Sequence, residues 1–108
     1  MSEVAINLIK LRPGRSVEEF SRFSVEVDQP VCLAQDVVEG FDAFAVTRRD
    51  PRAPSVDIVE VMQVRSWDEW VRVRDDLAEL EPVNAAFDRL VPPDGSSTVF
   101  ARPIQKET

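Results

Sequence analysis

The stretch "SVDIVEVMQVRSWDEW", residues 55–70, decides how the rest of the chain is read. Its front half alternates Ile58, Glu60 and Met62 with Val59 and Val61, a run of β-formers that predicts a strand over residues 56–65. Ser66-Trp67-Asp68-Glu69 then has the Ser-x-x-Glu pattern of a capping box, so a helix should start there. Both faces of the strand are apolar except for Glu60. An ionised carboxylate at such a position is costly unless something satisfies it.

The same signals recur on either side. "VAINLIKL", residues 4–11, reads as another strand with two apolar faces, interrupted only by Asn7. "RPGRS" breaks it, and Ser16-Val17-Glu18-Glu19 is a capping box opening a helix. Val17, Phe20, Phe23 and Val27, three and four apart, give that helix a buried stripe. Pro30 should end or kink it, leaving "VCLAQ" as a further helical turn or a loop. Gly40 punctuates before a second strand over residues 41–49, and the proline-rich "DPRAPS" joins that strand to 56–65 as a hairpin. Beyond Ser66, an apolar face of Trp67, Trp70, Val71, Leu77 and Leu80 continues the helical region. The charged run "VRVRDDLAELE" reads as a solvated helix face. Pro82 suits a first helical position, predicting a segment to about Leu90 that packs through Val83, Phe87 and Leu90. "PPDGSS" turns the chain into a last strand, "TVFARPI".

The element order is β-α-β-β-α-β, which is the α+β, ferredoxin-like arrangement. It implies a four-stranded antiparallel sheet with the first and third strands central and the helices on one face. Central strands that are apolar on both sides leave the second face needing a cover, since a sheet with one wet face should alternate. A second copy of the same sheet is the simplest cover, so the expected assembly is a homodimer, a dimeric α+β barrel. At 108 residues the chain has the length of one domain, 1–108.

Composition removes several function classes. A formal net charge of -7 argues against nucleic acid and anionic membrane surfaces as partners, both of which need clustered Lys and Arg. No apolar run is long enough for a membrane helix. "MSEVAINLIKLRPG" lacks a basic start and is broken by Asn7 and Lys10, so no ordinary signal peptide is expected. With a single cysteine, Cys32, the expected location is the cytoplasm. There is no histidine and no tyrosine, which excludes Ser-His-Asp and Cys-His mechanisms and His-dependent metal sites. Acid–base work falls to carboxylates, Lys, Arg or Cys32, and neither a metal nor an organic cofactor is expected.

"INLIKLRPG", "VEEFSRFSVEVDQPVC" and "VDIVEVMQVRSWDEW" resemble, in order and spacing, the RedY-like (HapK) family, over nearly the whole chain. That family is associated with gene clusters for pyrrole- and indole-derived natural products. The resemblance implies a small cofactor-free protein with a dimeric α+β barrel fold. Its implied task is a tailoring step such as cyclisation of a bisindole or pyrrole-type aromatic intermediate. It also implies a histidine in the first strand of many relatives, near the position of Asn7 here.

Two readings of Glu60 remain open: a structural carboxylate held by an Arg such as Arg102 or by backbone amides, or a pocket-lining acid whose pKa is raised by burial. Asn7, in the other central strand, either orients a substrate group or bonds Glu60. Asp28, Gln29 and Cys32 sit where the first helix breaks off and form a candidate pocket rim. Cys32 is either a small buried hydrophobe or a nucleophile, with no histidine to activate it. Met62, Trp67 and Trp70 are core residues or the walls of a site for a flat aromatic substrate. Three functions are compatible with these residues. The first is a cofactor-free cyclase in which Glu60 and Asn7 are catalytic. The second is a cofactor-independent monooxygenase, and the third a non-catalytic binding protein.

Overall fold

A computed structural model describes residues 2–105. Four strands, β1 (Glu3–Ile9), β2 (Val38–Ala45), β3 (Ile58–Val64) and β4 (Ser96–Ala101), form one antiparallel sheet in the order β2-β3-β1-β4. The helices are α1 (Val17–Phe23), α2 (Gln29–Leu33), α3 (Trp67–Asp76) and α4 (Glu81–Leu90). Strands β1 and β3 are central, as the element order requires. The sheet's inner face, with Ala5, Ile9, Ile58, Met62 and Val64, packs on Phe20, Phe23, Trp70, Leu80, Val83 and Leu90 from the helical layer. Each large apolar side chain enclosed there stabilises the fold by about 1.5–3 kcal/mol.

Both serine caps form. Ser16 Oγ accepts from the Glu19 amide at 3.1 Å, and the Glu19 carboxylate answers the Ser16 amide at 3.1 Å. Ser66 Oγ accepts from the Glu69 amide at 3.3 Å, but the reciprocal half is absent because the Glu69 carboxylate pairs with Arg65 instead.

Some strand boundaries depart from the sequence expectation, and the alternatives left open at Pro30 resolve. The first helix is distorted there rather than ended, and "VCLAQ" begins as a further helical turn. The chain widens into a π turn at Ser24–Asp28, where the Gln29 amide reaches back to the Ser24 carbonyl, and continues as α2 to Leu33. A proline deprives the helix of a donor and crowds the carbonyl one turn back; the wider turn accommodates both. Gly40 lies inside β2 at a register shift between Val38 and Gly40, so the strand begins earlier than Phe41 and stops at Ala45. β4 ends at Ala101, before Arg102.

The outer face of the sheet is uncovered. Val4, Ile6, Leu8, Val59 and Val61 are half-buried there, flanked by Phe44 and Val99, which are 55% and 51% exposed. Among the described residues no helix is long and apolar enough to cross a membrane.

The turn before β4 closes tightly on β1. The Lys10 amide donates to the Gly95 carbonyl at 2.7 Å, and a Cβ at Gly95 would stand 2.6 Å from the Lys10 carbonyl oxygen. Gly95→Ala is therefore expected to destabilise the protein by about 1–3 kcal/mol, measured by urea unfolding. An unchanged midpoint would show that the turn yields without strain.

Candidate active site

The antiparallel register sets Asn7 directly opposite Glu60 on β3 and opposite Thr98 on β4. All three side chains point to the helix-covered face. They form a chain: Thr98 Oγ1 donates to Asn7 Oδ1 at 2.7 Å, and Asn7 Nδ2 donates to Glu60 Oε1 at 3.2 Å and contacts Met62 Sδ at 3.7 Å. Thr98 thus fixes which end of the Asn7 amide faces Glu60. Asn7 holds Glu60 Oε1 through Nδ2 while Thr98 sets the orientation of its amide.

Glu60 is only 4% exposed, and its second oxygen, Oε2, is buried without a hydrogen-bond partner among the described residues. Arg102 lies exposed past the end of β4 and is not among its partners, so the reading of Glu60 as an Arg-held carboxylate does not apply. Across the same cavity the π turn presents Asp28, itself 7% exposed. One turn on, the Cys32 thiol donates to Asp28 Oδ1 at 3.3 Å.

Burial raises the Glu60 pKa well above the carboxylate range, the neighbouring Asp28 charge raises it further, and the Asn7 bond opposes the shift. Burial also raises Asp28, against the bonds from Cys32 and Glu60. Cys32 is pushed far upward by its own burial and by the charge of Asp28, so it remains a neutral thiol.

These groups floor a cavity of about 400 Å³ between the sheet and the helices. Its apolar walls come from Phe41, Met62, Trp67, Trp70, Leu80, Val83 and Phe87. Trp67 is braced edge-on by Phe100, with ring centroids 5.3 Å apart. Of the sequence candidates, Asn7, Asp28, Cys32, Glu60, Met62, Trp67 and Trp70 line this space. Gln29 does not. It follows the π turn, and its amide folds back to donate to Ser24 Oγ at 2.9 Å. Sequence reasoning missed Thr98 and, from helices α3 and α4, Arg74, Asp75, Asn84 and Asp88. Thr98 is detectable only through pairing register. Arg74 and Asp75 belong to a run that had read as wholly solvated.

Among the described residues the cavity is acceptor-rich, with Asp28, Glu60, Asp75 and Asp88 against one cation, Arg74, whose Nε bonds Asp75 at 3.2 Å. A ferredoxin-like sheet with a concave, largely apolar, carboxyl-floored cavity places the chain among small α+β proteins with an internal pocket. Comparison with known proteins gives the family. The family model described as REDY-like protein HapK matches residues 3–102, and the chain belongs to that family. Among solved structures, HapK from Hahella chejuensis superposes with a TM-score of 0.73 at 16% identity, covering 98% of this chain and 96% of that one. SnoaB, a cofactor-independent oxygenase from Streptomyces nogalater, gives 0.68 at 13% identity, covering 97% and 95%. A dimeric ferredoxin-like protein of unknown function from Thermobifida fusca gives 0.68 at 12%, covering 94% and 90%. A search of curated proteins returned no match.

A carboxyl whose pKa is higher folded than unfolded binds more protons in the native state, so stability is lost as pH rises from the ordinary carboxylate range toward the raised value. The thermal midpoint should therefore fall between about pH 5 and about pH 8. Glu60→Gln, which cannot ionise, should flatten that fall and be more stable than the parent at the upper end. A parent midpoint that climbs over this interval would contradict the assignment.

Proposed function

We propose that this protein is a cofactor-free tailoring protein of natural product biosynthesis. It encloses an aromatic intermediate of the bisindole or pyrrole type and cyclises it. The observation that carries the reading is Glu60: a buried carboxyl with one oxygen unpartnered, at the floor of a cavity walled by aromatic side chains. Membership of the HapK family supports the pathway class. Glu60 is the proton-transfer group, and Asn7, locked by Thr98, positions it. Carboxyl oxygens on the floor suit a substrate that carries N–H donors. Enclosure supplies part of the rate by holding two reactive ends together. The reaction takes place in the cytoplasm.

The working unit is a homodimer joined through the outer faces of its sheets. The exposed Phe44 and Val99 beside half-buried Val4, Ile6 and Val61 support this, as do similar structures described as dimeric. Sedimentation at micromolar concentration should give a dimer, and Ile6→Asp with Phe44→Asp should give a folded monomer. A monomeric parent protein would refute the assembly.

The activity test uses bisindole and pyrrole-type intermediates under argon and in chelator, because without histidine only weakly held hard cations could be recruited by the carboxylates. Formation of a cyclic isomer is expected under both conditions. Glu60→Gln should cut turnover by roughly a hundredfold or more while binding persists. A product that gains oxygen, formed only in air, would instead favour a cofactor-independent monooxygenase. Saturable binding with unchanged ligand would favour a binding protein.

A further inference from the structure

The unpartnered oxygen of Glu60 faces a specific problem of charge. Its neighbour across the cavity floor is Asp28, delivered by the π turn and almost as deeply buried. Among the described residues neither carboxylate has a cation beside it. The one cationic side chain lining the cavity among the described residues, Arg74, is engaged with Asp75. The remaining donors near the pair are Asn7 Nδ2, which serves Glu60 Oε1, and the Cys32 thiol, which serves Asp28 Oδ1. Thr98 is spent on Asn7, and Met62 offers only sulfur. From the helices the charged groups at the cavity are Arg74 and Asp75 on α3 and Asp88 on α4, which add net negative charge. Two ionised carboxylates cannot share such a site; one proton between them removes a charge and supplies the missing donor.

We propose that Asp28 and Glu60 act as one acid–base site that holds a single proton between them, carried on Glu60 Oε2 and donated to Asp28 in the resting state. The assignment rests on the proposed enclosure of a substrate in this cavity and deepens it, since it makes Asp28 the second member of the reacting pair. The step it supports is proton-neutral. Glu60 gives its proton to a ring carbon or heteroatom of the substrate, and Asp28 takes one from an N–H or C–H of the same molecule. The bond to the departing hydrogen breaks as the new one forms, so the product is an isomer and no oxidant or reductant is consumed. The pair carries one negative charge before and after, and passage of the proton from Asp28 back to Glu60 resets it. Burial of both groups, and the charge of Asp28 acting on Glu60, hold the shared proton in place at neutral pH.

The experiment is a pH titration by NMR of the full-length protein carrying ¹³C-labelled Asp and Glu side-chain carboxyls. In the parent protein the Asp28 and Glu60 carbons should both respond to the same two steps, with the upper step above the ordinary carboxylate range. Asp28→Asn should leave Glu60 with one step, shifted downward relative to the parent's upper step because the like charge is gone. Glu60→Gln should leave Asp28 with one step. The parent titration decides the matter even if a variant fails to fold. Separate single steps for the two carbons, or both groups ionised throughout the neutral range, would overturn the shared proton. That failure would leave Glu60 alone as the proton-transfer group and the proposed function standing. Two shared steps in a protein that turns over no indole or pyrrole substrate would keep the pair and sink the function.

Discussion

The structure is organised around a buried carboxyl. Glu60 sits in the middle of a central strand, where desolvation disfavours its charge and every neighbour must answer for it. The answers come from three separate parts of the chain. β1 supplies Asn7 by strict antiparallel register, β4 supplies Thr98 to hold that amide, and the π turn supplies Asp28. A slip of one residue in either strand pairing would turn Asn7 or Thr98 to the opposite face and leave Glu60 Oε1 unsatisfied as well. The sheet's register is therefore tied to the polar chain as well as to the hydrophobic alternation.

The sheet separates two tasks. Its helix-covered face holds the carboxyl groups and the cavity, while its other face carries Val4, Ile6, Leu8, Val59, Val61, Phe44 and Val99. Covering the apolar face with a second copy would leave the cavity mouth, with Arg74, Asp75 and Asp88, free for ligand entry. The same backbone layer thus carries an exposed apolar surface and a cavity that do not share residues. Period-two alternation makes this possible, because each central strand contributes every second side chain to each task.

The strand and helix order was legible because each element announces itself locally: alternation in the strands, Ser-x-x-Glu at Ser16 and Ser66, and proline at the start of α4. The anomaly of Glu60 among valines was legible for the same reason. Helical phase past Pro30 was not. Whether Asp28, Gln29 or both face inward depends on a π turn whose extra width leaves no sequence periodicity behind, and the turn buries Asp28 while returning Gln29 to Ser24. Thr98 required the register of a strand pair ninety-one residues apart in sequence, which no local pattern encodes. Arg74 and Asp75 sit in a charged run, and charge alone cannot distinguish a helix face in water from one at the mouth of a cavity.

Asn7 stands near the place where the family resemblance implies a histidine in many relatives, and the structure shows what an amide there entails. A histidine could exchange a proton at neutral pH; an amide cannot, and this one is further pinned by Thr98 on one side and Glu60 on the other. The residue opposite Glu60 is a fixed donor. Among the described residues the titratable groups facing the cavity floor are Glu60, Asp28 and a thiol held neutral by burial. A neutral amide supplies no charge that would keep Glu60 ionised. With an uncharged amide opposite it, burial and the neighbouring Asp28 charge leave the Glu60 carboxyl with a raised affinity for a proton.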